Sequence, residues 1–147
     1  MGRRYSIVGS QTVASPTDSV LAVTATTAVR PQVYDIIFGS AATPADNALN
    51  WLVQRYTAAG AGSSVTPTAL DSGDPASTST SLHNHTTEPT YTTTLLSISA
   101  NQRSTQRWVA APGSALIAPA TASNGIGLAP VHASFTGDVE ATILFEE

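Results

Sequence analysis

The sequence predicts an all-β fold: one β-sandwich or jelly-roll-like domain with a long surface loop. Apolar and polar residues alternate with period two in runs spread from end to end of the chain. β-branched residues are abundant in these runs, and they favour a pleated surface. Turn signals rich in Gly, Pro, Asn and Asp separate the runs, as is typical of sandwiches and jelly rolls. The 147 residues suit a single domain with a single core.

The predicted strands follow one another along the whole chain. In the first run Tyr5 and Ile7 share a face, and in the last run Ala141, Ile143 and Phe145 do. The runs between them cover residues 21–26, 33–38, 90–100, 106–110 and 114–118, and the last run covers 140–146. We therefore expect both termini to lie in sheets. Residues 1–8 are interpreted as an edge strand or as an N-terminal arm that carries a basic pair.

The middle of the chain is harder to assign from the pattern. Thr43, Pro44 and Asp46 have the order of a helix start, with an N-cap, a proline at the first position and an early carboxylate. We expect a helical turn over 43–47, then a strand to about residue 58. The polar stretch 58–89 is expected to be the long surface loop, with a short strand near 64–69 and its most exposed tip at 78–87.

The composition indicates a component of an assembly more than an enzyme. Charged residues are only 11% of the chain, against about a quarter in ordinary domains. Lysine is absent, so all six cations are arginine. A monomer usually stays soluble through mixed surface charge, which this chain largely omits. A net charge of −4 argues against nucleic acid, and no apolar run is long enough to span a membrane or serve as a signal peptide.

Candidates for chemistry are few. His83 and His85 flank Asn84 with a spacing that can bind a metal on one strand face, and Glu88 is the nearest carboxylate. No third ligand is evident, because His132 is distant in sequence, so a polar loop is the favoured interpretation. Asp71 and Asp74 are interpreted as turn residues before Pro75, and Glu88 with Glu140 could only nominally form a glycosidase pair. No catalytic residue, metal ligand or cofactor is assigned.

Six residues are candidates for a protein interface, because arginine and aromatic residues are enriched at binding hot spots. They are Arg3, Arg4, Arg55, Arg103, Arg107 and Trp108. The alternative is that Trp51 and Trp108 belong to the core and that arginine stems cover them. Both interpretations hold if arginines at a subunit seam pair with Asp35, Asp46 or Asp138 of a neighbouring subunit.

Several segments together resemble the head decoration, or cement, proteins of tailed bacteriophages. The resemblance covers most of the chain from about residue 30 onwards, and its motifs are turns and strand edges. The segments that carry it are residues 34–40, 42–46, 65–71, 88–91, 106–113 and 119–126.

This resemblance implies a β-sandwich or jelly-roll subunit that binds the outer capsid surface of a virion as a homotrimer. It also implies that the chain is made in the host bacterial cytoplasm and clamps neighbouring subunits of the major capsid protein. No capsid-contacting residue is carried over from the family. Two other classes stay open: a carbohydrate- or receptor-binding module of a tail or spike, with aromatics exposed on one loop face, and a small hydrolase or metal enzyme that depends on His83 and His85.

Overall fold

The computed structural model describes residues 2–15, 18–131 and 135–147, and these form two antiparallel sheets packed together as a β-sandwich. The predicted all-β sandwich is confirmed, and the described residues contain no helix. The strands are β1 (Arg4–Val13), β2 (Leu21–Thr24), β3 (Gln32–Ser40), β4 (Ala48–Tyr56), β5 (Ala61–Ser64), β6 (Thr68–Ala69), β7 (Thr80–Thr87), β8 (Tyr91–Asn101), β9 (Gln106–Val109), β10 (Leu116–Ile117), β11 (Gly125–Val131) and β12 (Gly137–Glu146).

Each sheet contributes one apolar face to a shared core. Sheet A has the order β10-β3-β12-β1-β6, with β9 also paired to β3, and sheet B has the order β5-β7-β2-β11-β4-β8. Strict alternation along β1 and β12 places every second side chain inward, which is the pattern read from the sequence. The largest fully buried apolar and aromatic side chains include Tyr5, Ile7, Leu21, Ile36, Phe38, Leu49, Tyr56, Ile126, Leu128, Ile143 and Phe145.

The centre of sheet B is buried on both faces. Tyrosine rings cover its outer face, where β11 has glycines: a Cβ at Gly125 would lie 2.2 Å from the Tyr56 hydroxyl, and one at Gly127 would lie 2.6 Å from the Tyr91 hydroxyl. The Tyr56 hydroxyl donates to Val23 O at 2.9 Å. The two rings meet edge to face at 6.2 Å between centroids. Sheet B is therefore closed on the outside by its own aromatic residues.

The helical turn predicted over 43–47 is wrong. Thr43 has a φ of +43°, which an N-cap residue does not adopt, and strand β4 begins at Ala48. The backbone of this segment is hydrogen-bonded to the turn after β8 instead. Gln102 accepts a bond from Ala45 N at 3.0 Å and donates its own N–H to Asn47 O at 2.9 Å. The strand that was expected to run to residue 58 ends at Tyr56.

The long surface loop predicted over 58–89 is largely wrong as well. This stretch contains β5, β6 and β7, and the expected short strand near 64–69 is two separate strands. The expected exposed tip at 78–87 is mostly β7, which lies inside sheet B between β5 and β2. Ser81 and His85 on this strand are buried. Cross-strand hydrogen bonds override the polar composition, because hydroxyl side chains fit a pleated sheet as well as a loop.

Residues 3–8 do not form a free N-terminal arm. Strand β1 begins at Arg4 and pairs along its whole length with β12, from Arg4 opposite Glu146 to Val13 opposite Gly137. Arg3 and Glu147 also exchange backbone hydrogen bonds at 3.1 and 2.9 Å. The other side of β1 pairs with the two-residue strand β6. The chain start therefore lies next to the edge of sheet A, and Met1 is outside the described residues.

Candidate interaction surface

The outer face of sheet A is the most distinctive surface of the molecule. Cross-strand register places Val8 opposite Thr142, Thr142 opposite Ile37, and Ile37 opposite Arg107. The next row reads Ser6, Leu144, Asp35 and Val109 across the same four strands. Directly opposite residues of an antiparallel pair point to the same face. These eight side chains therefore share one surface that spans β1, β12, β3 and β9.

Four aliphatic side chains form a patch on this face. Val8 is 60% exposed and Val109 is 56% exposed, and both are among the large hydrophobic residues most open to solvent. Ile37 and Leu144 are half-buried and connect them diagonally across the sheet. We call Val8, Ile37, Val109 and Leu144 the aliphatic patch. Contiguous exposed apolar residues with a polar rim mark interaction sites in soluble proteins.

One ion pair borders the patch between β9 and β3. The Arg107 guanidinium donates from Nε to Asp35 Oδ1 at 3.0 Å and from Nη2 to Oδ2 at 2.5 Å. Hydrogen bonding to this carboxylate and its charge raise the pKa of Arg107. Asp35 is buried beneath the guanidinium, whereas the Arg107 side chain is 62% exposed. The pair therefore presents an oriented cation beside Val109 and Ile37.

A second ion pair lies at the other border. Arg4 Nε donates to Glu146 Oε2 at 3.3 Å, and the Arg4 guanidinium lies 5.5 Å from the centroid of the Tyr34 ring. Burial raises the pKa of Tyr34, and the negative charges of Asp35 and Glu146 raise it further. The positive charge of Arg4 acts in the opposite direction and lowers it. A guanidinium over an aromatic face is held by the ring quadrupole as well as by its carboxylate. The Arg4 guanidinium is thus held in place by Glu146 and the Tyr34 ring, although the side chain is exposed to solvent.

A shallow hollow lies at each end of the aliphatic patch. One, of about 160 Å³, is lined by residues that include Val8, Ile37, Gly39 and Glu140. The other, of about 230 Å³, is lined by Arg4, Tyr34 and Glu146 together with the loop 110–113. A sheet face with hollows at its ends and oriented charges at its rim suits a protein partner that inserts side chains into the hollows.

The structure separates the six predicted interface residues. Arg4 and Arg107 lie on the surface just described, and Trp108 is their neighbour on the inner side of β9, half-buried against the core. Arg103 is exposed in the turn after β8, and Arg3 is exposed next to the chain start. Arg55 bonds within the subunit instead, because its Nε and Nη2 donate to Ile117 O at 3.2 and 3.1 Å and so connect the two sheets.

The aspartates expected to pair with a neighbouring subunit have partners in the same chain. Asp35 accepts from Arg107, Asp46 accepts from Asn101 Nδ2 at 2.7 Å, and Asp138 accepts from Thr12 Oγ1 at 2.7 Å. Trp51 is a core residue, 3% exposed and stacked at a tilt on Phe38. The sequence analysis did not predict the aliphatic patch. The signal for it in the sequence is the presence of aliphatic residues at outward positions of alternating strands, such as Val8 in β1 and Val109 in β9.

Serine, histidine and glutamate do meet in the structure, but not as a catalytic array. The Ser19 hydroxyl donates to Glu88 and lies 2.7 Å from the Tyr91 hydroxyl. The His85 ring bonds the carbonyl of Ser19 and not its hydroxyl, so His85 is not placed to take the hydroxyl proton. Ser19 is fully buried. Burial raises the pKa of Glu88, against hydrogen bonds from Ser19 that lower it.

The two histidines whose spacing could bind a metal contact different parts of the chain, His83 a residue of β1 and His85 a residue just before β2. Asn84 between them has a φ of +48°, which breaks the regular alternation. His83 Nδ1 lies 3.4 Å from both the N and O atoms of Ser10, whereas His85 Nδ1 lies 3.1 Å from Ser19 O. Within the described ranges no three His, Cys, Asp or Glu side chains are grouped so that they could hold a metal ion. His132, the third histidine, is outside the described residues.

His85 makes stability depend on pH. Its Nδ1–H donates to Ser19 O, and its buried Nε2 has no hydrogen-bond partner among the described residues. Burial lowers the pKa of His85, and the nearby His83 charge lowers it further. The hydrogen bond with Ser19 raises the pKa but does not cancel the effect of burial. The unfolded chain therefore binds the proton more readily, so the free energy of unfolding should fall as pH drops from about 7 to 5.5, by at most about 1.4 kcal/mol per pH unit for one proton.

Urea unfolding at several pH values measures this slope. His85→Asn keeps a donor near the Nδ1 position and should remove most of the slope between pH 5.5 and 7. His83→Asn is the control on the same strand: it leaves the burial of His85, the main cause that lowers its pKa, in place, so most of the slope should remain. An unchanged slope in His85→Asn would show that another group titrates.

A wider concavity than the two hollows at the ends of the aliphatic patch lies elsewhere, at one end of sheet B. It has a volume of about 730 Å³, and the described residues that line it are neither charged nor aromatic. Hydroxyl side chains dominate its wall, among them Thr24, Thr26, Ser64, Thr66 and Ser123. The adjoining loop is fixed by Glu147, whose carboxylate accepts from Ser77, Thr78 and Ser79. The aromatic loop face expected of a carbohydrate-binding module is therefore not found at this groove.

Comparisons with protein-family models, with curated proteins and with solved structures found no match for this chain. Among the residues that the structure describes, no helix is long and apolar enough to cross a membrane.

Proposed function

We propose that this protein is a decoration protein of a tailed-bacteriophage head. It binds the outer surface of the capsid as a homotrimer through the outer face of sheet A, and it stabilises contacts between subunits of the major capsid protein. The observation that carries this proposal is the aliphatic patch, which lies on the outer face of sheet A and is bordered by the Arg107–Asp35 and Arg4–Glu146 ion pairs. The resemblance to cement proteins supports the same function.

The surface suits binding to a protein shell for two physical reasons. Covering the aliphatic patch removes apolar area from water, which contributes about 25 cal/mol per Å² before the costs of association. Both arginines already have carboxylate partners in the free subunit, so the face carries oriented donors without isolated charges that binding would have to desolvate. Arginine is also enriched at the centres of such interfaces.

The proposed work is mechanical. A protein that binds only the assembled lattice stabilises it by mass action, because capsomers must release the bound protein before they separate. Three connected subunits bind with a high effective concentration once the first has bound. Weak contacts made by each copy of the sheet face would then add up to tight and cooperative attachment at the points where capsomers meet.

Co-sedimentation tests the proposal. Purified protein is mixed with mature capsids of the phage that encodes it, prepared without the protein, and pelleted through a sucrose cushion. We expect saturable binding to mature capsids and a higher temperature or denaturant concentration for capsid disruption. Binding to purified tails alone would favour the tail or spike module instead, and binding to neither structure would contradict the proposal.

A further inference from the structure

One side of the sandwich leaves its core incompletely covered. Strand β8 is the edge of sheet B and pairs only with β4, and β9 follows it after a short turn and pairs only with β3 of sheet A. The inward side chains of these two strands are half-buried although they pack against the core. We call this the open side and define it by Leu95, Leu96, Ile98 and Trp108.

The second half of the edge strand on the open side lacks the usual features that prevent strand pairing. β8 is 11 residues long and contains no charged residue and no proline. Natural edge strands are normally protected by charges, prolines, bulges or short length. The register with β4 shifts twice in the first half of β8, whereas residues 96–101 pair in regular register. An unprotected edge strand of this kind is explained if another chain covers it in the assembled protein.

We propose that the open side is covered by other copies of this chain, so that Leu96, Ile98 and Trp108 of each subunit complete a core shared between subunits. The inference deepens the proposed function and rests on it only for the number of copies, three. A copy is favoured over a different partner by charge. In a rotationally symmetric oligomer, a residue that lies near the symmetry axis is close to the same residue of the other copies. A charged residue there would therefore be repelled by the identical charges of its neighbours. β8 carries no charged residue.

The composition of the open side fits self-association in a second way. Leu96 and Ile98 lie opposite Val53 and Trp51 of β4, so they extend the core to the sheet edge. Trp108 extends it from β9, opposite Ile36. Aromatic and aliphatic residues at the rim of a core are characteristic of obligate homomeric interfaces, and the charged Arg103 lies outside the two strands, in the turn that joins them. The predicted interface role of Trp108 thus concerns neighbouring copies and not the capsid face.

A charge introduced on β8 tests the inference with the purified full-length protein. Ser99 is exposed and its hydroxyl bonds only Asn50 Oδ1, at 3.4 Å, so Ser99→Lys should fold normally. We expect light scattering to show an oligomer for the original protein and at least a 10-fold weaker association for Ser99→Lys. An equimolar mixture of Ser99→Lys and Ser99→Glu should recover the oligomer, because opposite charges then meet.

The controls separate folding from assembly. Thr121→Lys adds the same charge in an exposed loop and should leave the oligomer intact. Circular dichroism checks the fold, and Ser97→Lys is a second variant on the same strand. In the dissociated protein, acrylamide should quench Trp108 more strongly while Trp51 stays protected. A monomeric original protein, or an oligomer that Ser99→Lys and Ser97→Lys leave unchanged, would overturn the inference, whereas loss of capsid binding alone would count only against the proposed function.

Discussion

Replacing Val8 and Val109 together with aspartate is expected to abolish capsid binding. Both side chains are more than half exposed, so the subunit should keep its fold. On binding they become buried, and the two new carboxylates would then have to lose water without a cationic partner, since Arg107 is already paired with Asp35. Hot-spot residues cost about 2 kcal/mol or more each, which is roughly 30-fold in the dissociation constant per residue.

Co-sedimentation with mature capsids measures this loss, and Thr121→Asp is the control for an added surface charge outside the face. The double variant should remain oligomeric, because its changes are not on the open side. Capsid binding that survives the double change in a folded protein would exclude the aliphatic patch as the contact surface.

Gly125→Ala is expected to destabilise the folded protein strongly. The new Cβ would lie 2.2 Å from the Val23 carbonyl oxygen and 2.2 Å from the Tyr56 hydroxyl. The backbone oxygen cannot move without breaking the β2–β11 pairing. Overpacking of this severity costs about 3 kcal/mol or more, which corresponds to roughly 10 °C in the melting temperature of a domain of this size.

Thermal unfolding followed by circular dichroism gives the comparison. Gly39→Ala is the matched control in another strand, because its Cβ would meet its nearest atom at 3.4 Å, an ordinary contact. It should shift the melting temperature by only a few degrees. Equal melting temperatures for the two variants would mean that Tyr56 does not cover β11 as described.

The sequence pattern predicted most strands outside the middle of the chain because their alternation is regular. Along β12 and the start of β1 every second residue is apolar, so the inward positions there could be identified from period two alone, whereas a register shift interrupts the alternation in β3. The burial of Ile7, Ile143 and Phe145 follows directly. Local pattern is a good guide wherever one face of a strand is buried and the other is open to water.

Strand β11 was missed because its local signals are those of a turn. Gly125, Gly127 and Pro130 argue against a central strand. The glycines are present because tyrosine rings from other strands occupy the space of their side chains. Pro130 lies opposite Trp51 on β4 and beyond the segment of β11 that pairs with β2. Its lack of an N–H therefore costs no hydrogen bond to β2. These causes are tertiary and are not visible in the local pattern.

The candidate site was only partly predictable for the same reason. Residue type selected Arg4 and Arg107, which the structure places on one face, but it selected Arg55 too, which bonds Ile117 inside the subunit. Residue type also overlooked Val8 and Val109, because a valine in a strand is usually buried. Which face of a strand meets water depends on the register between β1, β12, β3 and β9, and that register follows from the whole fold.

A cryo-EM reconstruction of the mature capsid with this protein bound tests the central claim most directly. The account predicts trimeric density on the outer surface where capsomers meet, with Val8, Val109 and Arg107 turned toward the shell and the β8 edges of the three copies turned toward one another. An empty outer surface at saturating protein, or bound density whose sheet A face points away from the shell, would contradict it.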